Sequence, residues 1–205
     1  MRPRLELTSV GKAFQRRSVF RGITAAVEGG EALLITGRNG AGKSTLIRII
    51  ADLLRPGEGT VRLLEGGEEV ESSRARRMGL VAPYLQLYDE FGARENLQLG
   101  MRLRGLRYDP GAGSRMLERV GLGGREDDPV RVFSSGMKQR LKYAQALIHA
   151  PGCLLLDEPM SNLDATGCDM VRRLMEEQRG GGILVVATND ARELPHHEHR
   201  VDLDA

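Results

Sequence analysis

The sequence has no tryptophan and only two cysteines among its 205 residues. Cys153 and Cys168 are not in the C-x-x-C spacing of zinc and redox sites, so we expect two reduced thiols within a core or a helix. No apolar run reaches the roughly 18 residues that a membrane-spanning helix needs. The first residues also lack the apolar segment of a secretory signal. These absences argue against a disulfide-stapled, secreted or membrane-spanning chain.

The sequence also lacks an excess of charge of one sign. Its formal net charge is +2, with 28% charged residues, which disfavours an electrostatic nucleic-acid binder. Arginines do cluster in two stretches, residues 74–77 and 102–107. We interpret both stretches as solvated faces, with an acidic partner surface as the alternative. A chain of this length is short for two independent domains.

Apolar periodicity indicates an α/β chain. Seven stretches have the composition of strands: residues 5–10, 23–27, 32–36, 60–64, 78–82, 153–157 and 183–187. From about residue 92 to residue 150 the pattern becomes helical, with Gly105, Asp109-Pro110 and residues 121–124 as interruptions. We therefore expect a single domain over residues 1–205, in which a helical subdomain at about 92–150 is inserted into an α/β core.

Residues 37–44 match the template G-x-x-x-x-G-K-[ST] at every fixed position. An apolar stretch of strand length precedes them, and apolar residues at helical spacing follow them, including Leu53 and Leu54. In this arrangement backbone N–H groups surround a phosphate, and the following helix adds its positive end. Lys43 is expected to reach the β- and γ-phosphates and Ser44 to place its hydroxyl on Mg²⁺. The candidate nucleotide-binding residues of this phosphate loop are Gly37, Asn39, Gly40, Ala41, Gly42, Lys43, Ser44 and Thr45.

Two acidic residues follow a second buried strand, in the sequence Cys-Leu-Leu-Leu-Asp-Glu-Pro from residue 153. The carboxyl ends of parallel strands are where open α/β folds bind ligands. Asp157 is thus a candidate Mg²⁺ ligand, and Glu158 is a candidate catalytic residue that polarises the attacking water.

A third motif points to a family. Residues 133–137, Phe-Ser-Ser-Gly-Met, precede a helical stretch and resemble the Leu-Ser-Gly-Gly-Gln signature of ATP-binding cassette (ABC) proteins. Ser-Asn-Leu-Asp at 161–164 is similar to the family's D-loop, which makes Asp164 a candidate site residue. Phe14 stands where members carry an aromatic ring that stacks on adenine, and ordinary core packing is the alternative. The resemblance covers essentially the whole chain, with the motifs in the family's order.

This resemblance implies a P-loop NTPase fold of the ABC type: an α/β fold with a mixed-sheet core, an antiparallel β subdomain and an inserted helical subdomain. It also implies a dimer that clamps two ATP molecules and Mg²⁺. Ser134 and Gly136 of one chain then contact the γ-phosphate of the ATP bound to Lys43 of the other, since a helix N-terminus favours anions.

Two positions depart from the family's pattern. Counting back from Glu95 places Pro83 where members have a glutamine, and the nearest glutamine is Gln86, which we carry as the candidate. Asn189 stands where most relatives have a histidine that contacts the γ-phosphate. Asparagine donates a hydrogen bond but carries no proton for chemistry, so we expect retained ATP binding and slow hydrolysis. The later His-His-Glu-His stretch, residues 196–199, is interpreted as a solvated turn rather than a metal or haem site.

The function favoured by these motifs is that of the ATP-hydrolysing subunit of an ABC transporter. It forms a homodimer or heterodimer, binds no nucleic acid and powers a separate membrane permease. We expect a cytoplasmic protein, peripheral on the cytoplasmic face of the inner membrane, with the permease docked near residues 84–91. The segments 29–40 and 134–140 are similar to ATP-binding subunits of haem exporters in bacterial cytochrome c maturation. The alternative is a soluble ABC ATPase that acts on a ribosome, DNA or an assembly complex.

Overall fold

The computed structural model describes residues 2–15, 17–70 and 74–204. The strands in this part of the chain are β1 (Pro3–Phe14), β2 (Arg17–Glu28), β3 (Ala32–Thr36), β4 (Glu58–Glu65), β5 (Glu68–Glu69), β6 (Met78–Val81), β7 (Cys153–Asp157), β8 (Ile183–Ala187) and β9 (His199–Asp202). The α-helices are α1 (Lys43–Ile50), α2 (Ala93–Leu103), α3 (Pro110–Arg119), α4 (Ser135–Leu147) and α5 (Ala165–Gln178). No helix among these residues is both long and apolar enough to cross a membrane.

The larger sheet is parallel throughout, with the strand order β6-β7-β8-β3-β9. Every residue of β3, β7 and β8 is buried, because both faces of this sheet are covered, which explains their near-continuous apolar sequences. Alternate residues enter two different cores: Leu33 and Ile35 point to one side of the sheet, and Ala32 and Leu34 to the other.

The smaller sheet is antiparallel, in the order β2-β1-β4-β5. Its apolar residues, among them Leu5, Leu7 and Val27, share one core with α1 and one face of the parallel sheet. β1 and β2 extend well beyond the predicted stretches because irregular pairings after Leu7 and Val10 absorb breaks in the alternation.

Three helices, α2, α3 and α4, lie between β6 and β7 and pack over the other core. Asp109 and Ser134 cap the starts of α3 and α4, accepting hydrogen bonds from the backbone N–H groups of Gly111 and Met137. The dipeptide Asp109-Pro110, which we interpreted as an interruption, is therefore the beginning of a helix, since proline suits a first helical position.

Two other expectations from the sequence were wrong. α1 ends at Ile50 instead of continuing through Leu53 and Leu54, because a turn follows in which Leu53 is largely exposed. The histidine-rich stretch is not simply a solvated turn. His199 begins β9, which pairs with β3, and its Nε2 atom lies 2.8 Å from the Glu31 carboxylate.

Candidate nucleotide-binding site

The phosphate loop, residues 37–44, connects β3 to the start of α1 as the sequence predicted. Gly42 has a φ of +108°, and a Cβ atom there would lie 2.5 Å from Cγ1 of Val19 on β2, so only glycine fits. Because Gly42 is also the N-cap of α1, no side chain caps this helix. Its first N–H groups are thereby left for an anionic ligand, which the positive end of the helix attracts.

The other candidate residues of the loop form its rim. Asn39 and Gly40 are exposed, whereas Gly37, Ala41 and Thr45 are half-buried. The backbone N–H of Arg38 donates to the Asp204 carboxylate at 2.6 Å, which ties the loop to the stretch after β9.

Lys43 is buried, and its amine lies inside the loop. Its Nζ atom donates to the carbonyl oxygens of Gly37 at 2.7 Å and Arg38 at 3.3 Å. The same atom lies 3.8 Å from Oε1 of Glu158, which brings the phosphate loop and the acidic end of β7 together. An ammonium group in this position can pair with a phosphate once its contacts with the loop are exchanged.

Asp157 is buried at the end of β7, and neither of its carboxylate oxygens has a hydrogen-bond partner. Burial raises its pKa, opposed by the nearby Ser44 hydroxyl, which does not reach hydrogen-bond geometry, and by the charges of Lys43 and Arg48. Two orphaned carboxylate oxygens beside a serine hydroxyl are a donor set that suits Mg²⁺, a cation that prefers oxygen ligands. The residues present therefore fit the predicted metal.

Glu158 has a φ of +50°, an unfavourable conformation for a residue with a Cβ atom, which suggests a functional constraint. Its backbone N–H donates to the carbonyl of Ala187 at 2.8 Å, which fixes the residue against β8. Burial raises the pKa of Glu158, opposed by Lys43 and raised further by the carboxylates of Glu193 and Asp157. A carboxylate with a raised pKa is suited to accept a proton from water.

Asn189 is exposed just beyond β8, and its backbone lies near enough to the Glu158 carboxylate to lower the pKa of that group. The candidates Lys43, Asp157, Glu158 and Asn189 thus lie at one edge of the parallel sheet. The sequence analysis missed Glu193, which has a buried carboxylate oxygen without a partner near Glu158. Its position in a short 3₁₀ turn after a polar stretch gave no sequence signal.

The signature residues form a second site on the surface. Ser134, Gly136 and Asp164 line one cavity of about 480 Å³. Asp164 caps α5 by accepting from the Gly167 N–H at 2.8 Å, and this hydrogen bond lowers its pKa. Among the described residues, no hydrogen bond or ion pair joins this cavity to Lys43. The structure therefore separates the candidates into two groups.

Phe14 lies at the end of β1 and is 48% exposed, so it does not take part in core packing. The amine of Lys12 lies 5.3 Å from its ring centroid. Phe14 pairs with Arg17 across the hairpin that leads into β2, the strand that packs against Gly42. An exposed ring on this hairpin is available to stack on a base.

Gln86 does not join the acidic group, which corrects the expectation from the sequence. The chain turns at Pro83, with the Leu85 N–H donating to Ala82, and Gln86 then lines a separate cavity of about 310 Å³. We call it the docking cavity, because it includes part of the stretch 84–91 where the sequence predicts that a permease docks. It is mainly apolar, and its lining residues include Leu53, Leu80, Leu85, Tyr88 and Leu103. Tyr84 is instead the residue of this stretch whose pKa responds to the charge of Asp157.

The two arginine stretches meet at another cavity, of about 650 Å³, which Arg76, Arg77 and Arg104 line together with His149. Arg77 is paired with Glu65 at 3.6 Å. Burial lowers the pKa of Arg104. These arginines thus converge on one cavity rather than forming two independent solvated faces.

Comparison with known proteins places these observations in a family. The family described as "ABC transporter" matches residues 20–161. "Cytochrome c biogenesis ATP-binding export protein CcmA" of Xanthomonas campestris pv. campestris (strain 8004) is 38% identical over 186 residues, which cover 89% of this chain and 86% of that protein. "Linearmycin resistance ATP-binding protein LnrL" of Bacillus subtilis (strain 168) is 30% identical over 190 residues, 90% of this chain and 60% of the relative.

Solved structures agree with the architecture. A chain described as "Structure of ATP binding subunit of ABC transporter" superposes with a TM-score of 0.83 at 26% identity, covering 97% of this chain and 85% of the other. The structure "Dimeric Structure of MJ0796, a Bacterial ABC Transporter Cassette" has a TM-score of 0.83 at 22% identity, with 97% and 93% coverage, and supports the fold alone. The fold class predicted from the sequence is confirmed.

Proposed function

Because this chain belongs to the ABC transporter family, as one of its ATP-binding subunits, we propose that two such subunits close around two molecules of ATP. Each ATP is held by the phosphate loop of one subunit and covered by the signature cavity of the other. Hydrolysis removes the bridging phosphate, reopens the dimer and changes the conformation of a membrane permease. The pairing is between two copies of this chain or between this chain and a second ATP-binding subunit.

The observation that carries the proposal is the division of the candidate residues into two groups. Lys43, Asp157 and Glu158 lie together, whereas Ser134 and Asp164 line a cavity elsewhere on the same chain. Both groups contain anion-binding elements, a helix start in each case. A second subunit supplies the missing half of each site.

Within each site the residues have separate tasks. Lys43 pairs with the β- and γ-phosphates after leaving the carbonyl of Gly37. Ser44 and Asp157 are the residues that would hold Mg²⁺, and the bound ion would supply positive charge to the phosphates. Glu158 accepts a proton from the attacking water, a role that its raised pKa favours. Asn189 donates a hydrogen bond to the γ-phosphate, and Phe14 stacks on the adenine.

The permease docks in the docking cavity, the apolar cavity lined by Leu85, Gln86 and Tyr88. Tyr88 and Leu103 are large exposed apolar residues at this cavity, as expected of a surface that another protein covers. The subunit then lies peripherally on the cytoplasmic face of the inner membrane. The relatives whose names include export in cytochrome c biogenesis favour the same process here, with haem as the proposed cargo.

The experiment is to purify the Glu158→Gln variant, which retains the hydrogen-bonding shape of the side chain but loses its basicity. Light scattering after gel filtration should record monomers without nucleotide and dimers with saturating Mg-ATP. The wild-type protein should release phosphate at least about a hundredfold faster than the variant, the lower limit for loss of a general base. A variant that stays monomeric with ATP, alone and with a co-expressed permease, would contradict the proposal.

A further inference from the structure

The connection from β6 to α2, residues 82–92, leaves the acidic end of β7 without the amide side chain that the family resemblance implies. Pro83 is exposed, and Gln86 lines the docking cavity. The amine of Lys142 on α4 lies 3.4 Å from the carbonyl oxygens of both Ala82 and Pro83. The first residues of the connection are therefore held by α4 while the later ones face the docking cavity.

Tyr84 is the residue of this connection nearest to Arg48 of α1, and its pKa responds to the charge of Asp157. Val81 pairs with Leu156 in the parallel sheet, so β6 and β7 end at the same edge, where Asp157 and Tyr84 follow. Burial raises the pKa of Tyr84, Arg48 opposes the shift, and the charge of Asp157 adds to it. The phenol is therefore neutral near pH 7 and close enough to Asp157 to sense its charge.

Arg48 holds this tyrosine in position. It lies one helical turn after Ser44 on α1, so both side chains are on the same face of the helix. The guanidinium carbon is 3.9 Å from the centroid of the Tyr84 ring, a close cation–π contact. Its charge also reaches Asp157 and lowers the pKa of that carboxylate.

The polar atoms of this cluster are complementary but unpaired. The Tyr84 hydroxyl is buried, and Arg48 lies near it without reaching hydrogen-bond geometry, so the hydroxyl has no partner. Both carboxylate oxygens of Asp157 are also unpaired. A phenol is a donor and a carboxylate is an acceptor, and leaving both unpaired costs free energy. Movement of the β6–α2 connection toward the end of β7 would bring the phenol donor to the carboxylate acceptor.

We propose that Tyr84, held by the guanidinium of Arg48, is a positioning residue that donates its hydroxyl to the Asp157 carboxylate when ATP binds. This inference rests on the proposed ATPase function and assigns to Tyr84 the place in which the sequence suggested Gln86. Leu85 and Gln86 line the docking cavity and directly follow Tyr84 in the chain. A partner bound in this cavity would therefore contact the residue next to Tyr84.

The test compares Tyr84→Phe, which keeps the ring beneath Arg48 and removes only the hydroxyl, with Tyr108→Phe. Tyr108 lies between α2 and α3 and also has a buried hydroxyl without a hydrogen-bond partner. Tyr84→Phe should lower kcat about tenfold, the lower end of what losing an outer partner of a metal ligand costs. KM, the melting temperature and ATP affinity measured in the Glu158→Gln background should stay near the wild-type values. Tyr108→Phe should leave kcat unchanged.

A second pair of variants tests the role of Arg48. Arg48→Gln should lower kcat in the wild-type background but much less in the Tyr84→Phe background, because the two residues act as one unit. Arg48→Lys keeps the charge but loses the planar contact, and serves if the glutamine variant folds poorly.

The outcomes separate this inference from the proposed function. A wild-type protein without ATPase activity would overturn the proposed function and the inference together. Normal wild-type activity, with Tyr84→Phe equally active or Tyr108→Phe equally impaired, would overturn the role of Tyr84 alone. Independent, additive effects of Arg48→Gln and Tyr84→Phe would overturn the coupling between them.

Discussion

At the end of β7 the polar groups are buried and incompletely paired, whereas at the starts of α4 and α5 they are exposed and already hydrogen bonded. Asp157 has two orphaned oxygens, and Lys43 is bound only to loop carbonyls and a carboxylate at 3.8 Å. Ser134 and Asp164, by contrast, each accept a hydrogen bond from the helix that they cap.

This contrast indicates different tasks for the two groups of residues: one in nucleotide binding and the other in dimer formation. Buried groups without partners gain free energy when a ligand satisfies them, so the phosphate-loop half is expected to bind nucleotide by itself. The signature half consists of caps that are satisfied already. In the proposed dimer it contributes attraction for an anion that the other subunit presents, and it is therefore expected to act on dimer formation.

The largest effect is expected from removing the buried cation. Lys43→Met should weaken ATP binding about a hundredfold, because one partner of a buried charged contact is lost. Titration with a fluorescent ATP analogue measures the change. Lys138→Met is the matched control, since that lysine is part-exposed on α4 and paired with Asp89. If Lys43→Met and Lys138→Met weaken ATP binding equally, the phosphate-loop half and the signature half do not differ in nucleotide binding.

A smaller effect, confined to assembly, is expected at the signature. Ser134→Asp retains a good N-cap but places a negative charge against the incoming phosphate, which should reduce ATP-dependent dimerisation at least about tenfold. Ser134→Asn keeps a cap without the charge and should dimerise normally. Light scattering in the Glu158→Gln background gives the dimer fraction. Weaker ATP binding by the Ser134→Asp monomer would contradict the assignment of this residue to the second half.

Asn189 allows a finer test of the comparison, because it belongs to the phosphate-loop group but is exposed. Asn189→His should raise turnover about fivefold, because a histidine adds a group that can carry a proton and a charge. ATP affinity should change little. The control is Asn189→Gln, which retains the amide, and phosphate release is the measurement. No gain from histidine would count against an asparagine-limited rate.

The smallest effect concerns α4, which begins at the signature and ends near His149. Burial lowers the pKa of His149 to about 4 from 6.5, with help from the charge of Arg104. The unfolded chain therefore binds the proton first, so stability is complete above pH 6.5 and decreases as the pH falls toward 4. For this partly exposed ring we expect a loss of about 1 kcal/mol at pH 5.

Urea denaturation at pH 7 and pH 5 measures that loss. His149→Gln should make the free energy of unfolding less dependent on pH, whereas replacing the exposed His196 by glutamine should not. Equal slopes for the wild type and His149→Gln would remove His149 as the cause.

Local chemistry explains which parts were predictable. The phosphate loop and the strands around it are specified by short contiguous patterns, so β3, β7 and β8 were predicted with the bounds observed. β9 was missed because an edge strand of polar residues, in which Val201 alone is buried, has no apolar periodicity.

The site was predictable only where the motif itself fixes the residue. Tyr84 and Arg48 are far apart in the sequence and meet because α1 and the connection after β6 flank the same strand end. Counting along the family pattern leads to Pro83, and Gln86 was chosen as the nearest glutamine, since no sequence rule records that the chain turns at Pro83 before reaching it. Tertiary geometry brings Tyr84, and not Gln86, into contact with Arg48.

The short run from Glu158 to Asp164 joins the two halves within one polypeptide, and the buried Tyr143 hydroxyl anchors it by donating to the carbonyl of Pro159 at 2.8 Å. In the proposed dimer, Glu158 is part of the site for one nucleotide and Asp164 is part of the site for the other. Hydrolysis of the ATP beside Glu158 would thus move Asp164, six peptide bonds away, which covers the other ATP. This connection would couple the two nucleotides of the proposed dimer through the covalent backbone of each subunit.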